Sequence, residues 1–171
     1  MINIRKATEN DLPEMLAIYN EVIKNTTAVY DYKSHTFEMR QQWFRAKKDN
    51  GFPVFVAVEN EAVIGFSSIG PFRNWAAYKY SVENSVYVAA DQRGKGIGKL
   101  LLLPLIEAAK EMNMHTIIAS IDHTNEASLR LHISVGFIEV AHFKEVGYKF
   151  GRWLDLKFLQ LILKTPLQPV A

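Results

Sequence analysis

The sequence predicts a single α/β domain of the α+β kind. Its core would be a mixed, mostly antiparallel sheet of about seven strands with a central parallel pair, flanked by about four helices. Three observations predict this. The 171 residues suit one hydrophobic core. From 85 to 121 a strand, a glycine-rich turn, a long apolar helix and a second strand follow in order, which brings the chain back parallel to itself. Strand pairs joined by short turns lie on either side and read as antiparallel hairpins.

The elements follow in order. Ile2-Asn3-Ile4-Arg5 alternates like a short strand, and Thr8, Asp11 and Pro13 make a helix entry. Leu12, Met15, Leu16, Tyr19 and Val22 recur at helical spacing. After a polar stretch at 24–35, residues 37–48 read as a second helix with Met39, Trp43 and Ala46 on one side. Residues 53–59 and 62–69 form a hairpin about Asn60-Glu61. An aromatic, polar loop at 72–80 precedes the strand at 82–88, and such exposed connections often carry binding residues.

The helix at 98–112 contains Pro104, which removes a donor to the carbonyl of Leu100 and predicts a kink or an irregular first turn. A compact strand at 116–121 follows. The helix at 125–135 is closed by Gly136, with Asn125, Ser128 and His132 on a polar stripe and Ala127, Leu131 and Val135 on an apolar one expected to face the core. Two last strands, 137–143 and 153–163, are separated by the segment 145–151. One domain is expected over 1–164, with a flexible tail at 165–171 that holds two prolines.

Composition narrows the function classes. There is no cysteine, which excludes disulfides, thiolate metal sites and a cysteine nucleophile. Residues 1–6 are charged rather than leading into an apolar signal segment, and no apolar run reaches membrane-spanning length, so a cytoplasmic protein without a membrane partner is expected. Net charge is only +2 with acids and bases interspersed, so nucleic acid is not an expected partner. The five histidines show no ligand spacing, so no metal is expected.

The informative motif is Arg93-Gly94-Lys95-Gly96-Ile97-Gly98-Lys99, directly after Val86-Tyr87-Val88 and before the long helix. Glycines there let several backbone N–H groups converge at a helix start, which is how chains hold a pyrophosphate. The spacing is Arg-x-x-Gly-x-Gly, neither a Walker loop nor a dinucleotide fingerprint. It resembles the coenzyme A pyrophosphate loop of the GCN5-related N-acetyltransferase (GNAT) superfamily. Val82-Glu83-Asn84-Ser85-Val86-Tyr87-Val88, Leu131-His132 before Gly136-Phe137, and the run from Val146 to Trp153 are similar to the phosphinothricin and methionine sulfone acetyltransferase branch.

That resemblance implies acetyl-CoA as cosubstrate, bound by Val86, Tyr87, Val88, the loop residues from Arg93 to Lys99 (Arg93, Gly94, Lys95, Gly96, Ile97, Gly98 and Lys99), Asn125 and Ser128. It implies an amino acid or analogue as acceptor and a homodimer in which the run from Val146 to Trp153 packs. Direct acyl transfer needs a neutral amine, an oxyanion donor and a proton for the thiolate. Glu83 is the candidate general base, as the branch implies, and also touches substrate. A backbone N–H near Tyr87 or Val88 would meet the oxyanion. His132 is either a general acid or a histidine tied to a helix carbonyl. Arg73 is the candidate carboxylate receptor, with Phe72, Trp75, Tyr30 and Phe37 as candidate walls. Alternative readings are acetylation of a protein N-terminus or polyamine, or a noncatalytic acyl-CoA-binding sensor.

Overall fold

The computed structural model describes all 171 residues. Its strands and helices are β1 (Asn3–Lys6), α1 (Leu12–Asn25), α2 (Phe37–Asp49), β2 (Val54–Glu59), β3 (Ala62–Pro71), β4 (Ser81–Val88), α3 (Ile97–Glu111), β5 (Thr116–Asp122), α4 (Glu126–Ser134), β6 (Ile138–Lys149) and β7 (Arg152–Ile162). One seven-stranded sheet has the order β1-β2-β3-β4-β5-β7-β6. The pair β4–β5 is parallel, with Glu83 opposite Ile118, and β5–β7 and β6–β7 are antiparallel. The predicted α/β fold with a mixed sheet and four helices is the fold found.

The chain divides into two compact units, Met1–Ser68 with Ser85–Leu105, and Ile69–Asn84 with Ile106–Ala171. In the first, strand alternation sorts side chains to two faces. One cluster joins Leu12, Met15 and Ile18 of α1 to Phe44, Val56 and Phe66, with Tyr19, Trp43 and Tyr87 packed at its margin. The other joins Ala57, Ile64, Ile97 and Leu101, with Val86 and Val88 beside them. The entry to α1 is fixed by Asp11, which accepts from the Thr8 N–H at 2.7 Å and takes a two-point contact from Arg5 at 2.8 and 2.7 Å. Helix α2 starts at Thr36, whose hydroxyl accepts from Met39 N–H. Its buried side is Arg40 and Phe44 with Trp43 partly covered, whereas Met39 and Ala46 are exposed, so the expected face is rotated by about one residue.

Pro104 does not end α3, which runs unbroken from Ile97 to Glu111. Leu101, Leu102 and Leu105 are fully buried. At about 1.5–3 kcal/mol each, their burial exceeds the ~3 kcal/mol that an interior proline costs. Beside the carbonyl that Pro104 deprives of its donor, the buried Ser67 hydroxyl donates to Leu101 O at 3.0 Å. Gly65 permits this helix to pack, since a Cβ there would lie 2.9 Å from Tyr87 O and 3.0 Å from a Leu101 methyl.

In the second unit Ile117, Ala119, Ile121, Phe137, Leu154 and Leu159 are buried. The segment expected to separate the last two strands is itself strand. β6 continues to Lys149 through an irregularity between Phe143 and Gly147, and only Phe150-Gly151 turns, both at positive φ. Asp155 of β7 holds that irregularity by accepting from Glu145 N–H and Lys144 Nζ, each at 2.9 Å. The same bonds, led by the Glu145 N–H, keep its carboxyl well below the usual carboxylate range. The tail expected to be flexible makes specific bonds. Thr165 Oγ1 donates to Met114 O at 2.5 Å, and the Tyr80 hydroxyl both donates to Val170 O and accepts from Val170 N–H at 3.0 Å.

Candidate active site

In the first unit, β4 leaves the sheet where Ala89 N–H donates to Ile64 O at 2.9 Å. The chain then turns through Gly94 and Gly96, at φ +78° and +81°, conformations that cost a side-chain-bearing residue roughly 1–2 kcal/mol. An added Cβ at either would meet nothing within 4 Å, so these glycines serve the turn and access, not packing. Helix α3 starts at Ile97, and the N–H groups of residues 93–98 enter none of the loop's backbone hydrogen bonds. Donors grouped at a helix start, with Lys95 and Lys99 alongside, suit the two phosphoryl groups of a pyrophosphate. Arg93 fixes the loop's approach. Its Nε donates to Val88 O at 3.1 Å and its Nη2 donates to Glu21 of α1. Glu21 is a supporting residue that the sequence pattern did not single out.

In the second unit Glu83 is partly buried on β4, and the Ser120 hydroxyl of β5 donates to its carboxylate at 2.5 Å. The parallel register explains the contact, because Glu83 lies opposite Ile118 and Ser120 is two residues further along the same strand. Alternation turns the neighbouring Asn84 to the other face, where it is buried against α4.

The stripes on α4 depart from expectation in part, since Leu131 and Val135 are partly covered as expected but the polar stripe is covered as well. His132 is buried, Asn125 and Ser128 are partly covered, and Ala127 is exposed. Hydrogen bonding makes this inward polar face possible. His132 Nδ1 donates to Ser128 O at 2.8 Å, which leaves Nε2 to accept from Asn84 Nδ2 at 2.9 Å. The ring also meets Phe137 edge-on with centroids 5.0 Å apart. Burial pushes the imidazole pKa down, partly offset by the Ser128 carbonyl. Both nitrogens are thus engaged and the neutral form is favoured. Asn125 caps α4, accepting from Ser128 N–H at 3.2 Å.

Arg73 is exposed in the loop after β3, lies 4.3 Å over the Phe72 ring and donates to Phe72 O at 3.1 Å. Phe72 meets Tyr78 and Phe158 edge-on, which anchors the loop's base while Trp75 is 72 % exposed. Glu83, Asn125, Ser128, His132, Phe72 and Arg73 thus belong to the second unit, where Asn125, Ser128 and His132 are joined by hydrogen bonds and Phe72 by ring contact to Arg73. Val86, Tyr87, Val88 and the glycine-rich turn belong to the first.

Comparison with known proteins agrees with this chemistry. Residues 4–157 match the family model described as an acetyltransferase (GNAT) domain. The L-amino acid N-acyltransferase MnaT of Escherichia coli is 41 % identical over 170 residues, covering 99 % of each chain. The L-methionine sulfoximine/L-methionine sulfone acetyltransferase of Pseudomonas paraeruginosa is 44 % identical over 162 residues, covering 94 % of each. Among solved structures, a GNAT superfamily phosphinothricin acetyltransferase from Sinorhizobium meliloti in complex with acetyl-CoA superposes with a TM-score of 0.95. It is 34 % identical, with 99 % of this chain and 93 % of that one covered. An amide-lined turn at the head of α3 and a family match over nearly the whole length lead to one assignment: the chain belongs to the GNAT family of N-acetyltransferases.

Proposed function

We propose that the protein transfers the acetyl group of acetyl-CoA to the α-amine of a small amino acid or analogue of the methionine sulfone, methionine sulfoximine or phosphinothricin type. The observation that carries the reading is the turn at 93–98, whose glycine conformations and grouped amides fit a coenzyme A pyrophosphate. The names of the relatives supply the acceptor class.

Glu83 takes the amine proton, directly or through water. The Ser120 hydroxyl holds its carboxylate in one orientation. The freed amine attacks the thioester carbonyl, a backbone N–H near Tyr87 or Val88 meets the oxyanion, and as the C–S bond breaks the proton now carried by the attacking nitrogen passes through water to the departing thiolate, which leaves as the thiol. His132 is assigned to holding Asn84 rather than to protonating the thiolate, because its ring nitrogens are committed to Ser128 and Asn84. Arg73 carries no acidic partner and is available for the acceptor carboxylate.

The enzyme works as a homodimer in the cytoplasm, where acetyl-CoA is available, on a small molecule rather than on nucleic acid or membrane. Support for the dimer is the edge strand β6 with its turn and the start of β7, where Val146, Tyr148, Phe150 and Trp153 are each about half exposed or more. Light scattering on the purified chain reads the oligomeric state.

The test of activity is thiol release from acetyl-CoA with methionine sulfone, methionine sulfoximine, phosphinothricin and the common amino acids, with spermidine and a peptide as controls. Turnover with the free amino acids alone supports the reading. Turnover only with spermidine or the peptide, or none at all, refutes it.

A further inference from the structure

Phe158 of β7, which anchors the loop after β3, lies directly opposite Ser120 in the antiparallel β5–β7 register. Residues paired in this way project from the same face of a sheet, with Cβ atoms about 4.5–5.5 Å apart. Toward β4, the Ser120 hydroxyl donates to the Glu83 carboxylate. Glu83, Ser120 and Phe158 thus form one row across three adjacent strands, β4, β5 and β7. Ser120 is also the one residue of β5 that is not buried. The sheet face is open at this row.

The loop that carries Arg73 reaches the same row. Phe72 meets Phe158 edge-on with centroids 6.2 Å apart, and its N–H donates to Ser81 O of β4 at 3.1 Å. Toward β6, Phe143 meets Phe158 edge-on at 5.2 Å. Phe158 is therefore flanked by the Ser120–Glu83 pair and by the loop of Arg73, and all of these residues belong to the second unit. Its ring remains partly exposed. An aromatic side chain left partly open beside a carboxylate gives up apolar burial that the hydrocarbon of a bound ligand would restore. With the acceptor amine at Glu83, a side chain laid over Ser120 comes onto Phe158 one strand spacing, about 4.8 Å, further on. An unbranched chain of the methionine sulfone kind spans that step, and a chain of two carbons stops short of it.

We propose that Phe158 is a specificity-determining residue whose ring is the floor under the acceptor's side chain, selecting amino acids with a long unbranched stem over those with a short one. The proposal rests on the amino-acid acceptor reading and deepens it, because it names what the side-chain subsite takes. Contact with the ring adds binding without touching the reacting amine, so it is read in KM rather than in kcat.

The experiment compares kcat/KM for methionine sulfone with that for 2-aminobutyrate, which has the same amine and carboxylate on a side chain of two carbons. The full-length wild type, Phe158→Ala, Phe158→Leu and Phe143→Ala are assayed side by side, with melting temperature and acetyl-CoA affinity measured for each. Wild type is expected to favour methionine sulfone. Phe158→Ala is expected to lose about tenfold of that preference through the KM for methionine sulfone, with kcat and acetyl-CoA affinity within about twofold. Phe158→Leu keeps apolar bulk, is expected to lose about threefold, and guards against the alanine variant failing to fold. Phe143→Ala takes a ring from the same cluster on the side away from Ser120 and is expected to keep the preference even where it melts lower. Where 2-aminobutyrate turns over too slowly to measure, the KM for methionine sulfone alone carries the comparison. A wild type without the preference, a folded Phe158 variant that retains it in full, or the same loss in Phe143→Ala overturns the proposal. A wild type inactive on both acceptors fails the acceptor reading itself, which the thiol-release panel reports independently.

Discussion

Replacing His132 with phenylalanine separates a structural histidine from a proton donor. The new ring can keep the edge-on contact with Phe137 but cannot accept from Asn84, whose Nδ2 would then be buried and unpaired. Orphaning such a donor costs about 1–3 kcal/mol. For a chain of 171 residues that is a fall in melting temperature of roughly 2–12 °C. Asn84 Oδ1 is already without a partner, so Asn84→Val in the same chain removes two unpaired atoms at once. The double variant should recover most of the loss, with a coupling of about 1–2 kcal/mol in a double-mutant cycle.

Acidity supplies a second reading of the same pair. Unfolded imidazole takes up its proton near about pH 6.5, whereas the folded ring, desolvated, does so only at lower pH. Below about pH 6.5 the unfolded state binds more protons, so wild-type stability falls as pH drops through the window down to the folded pKa. The phenyl ring of His132→Phe does not titrate, and the gap between that variant and wild type should narrow between about pH 7.5 and about pH 5. Thermal melts across that range, with acetyl transfer measured alongside, test the reasoning. Additive losses in the double variant would refute the coupling. Abolished transfer in His132→Phe beside full transfer in Asn84→Val would restore the histidine as an acid.

Other outcomes follow from the same geometry. Glu83→Gln should lower kcat by about 10²-fold or more while acetyl-CoA affinity by calorimetry stays near wild type; equal turnover removes the general base. Gly96→Ala, forced into φ +81°, should cost about 1–2 kcal/mol in denaturant unfolding and weaken acetyl-CoA binding. Asp11→Asn addresses a carboxylate whose pKa is lowered, chiefly by the Arg5 hydrogen bond. Its stabilisation is present above the unfolded carboxylate value of about 3.9 and fades as pH falls through the folded one. The variant should therefore melt lower than wild type at about pH 7, with the gap closing in acid.

How far the sequence reveals this molecule depends on whether a signal is local. Alternation and a two-residue turn are local, so the β2–β3 hairpin is legible, with Asn60 and Glu61 at positive φ where the turn was expected. The phosphate loop is legible for the same reason, since its glycines and helix start are contiguous. Helical periodicity reports that α4 has two faces, but the buried face is chosen by Asn84, 48 residues earlier, which gives His132 a partner inside. Likewise β6 reads as two pieces because Glu145 and Gly147 resemble a turn, and only Asp155, paired across the hairpin, holds the bulge within one strand. Arg40 is the strongest case. A cation at that helical position reads as a solvated side chain, and three aromatic rings from α1, α2 and β3 are needed to bury it. What a strand or turn does to itself is written in adjacent residues. A side chain that breaks the polarity rule is intelligible only through its distant partners, as Asn84, His132 and Arg40 are in this chain.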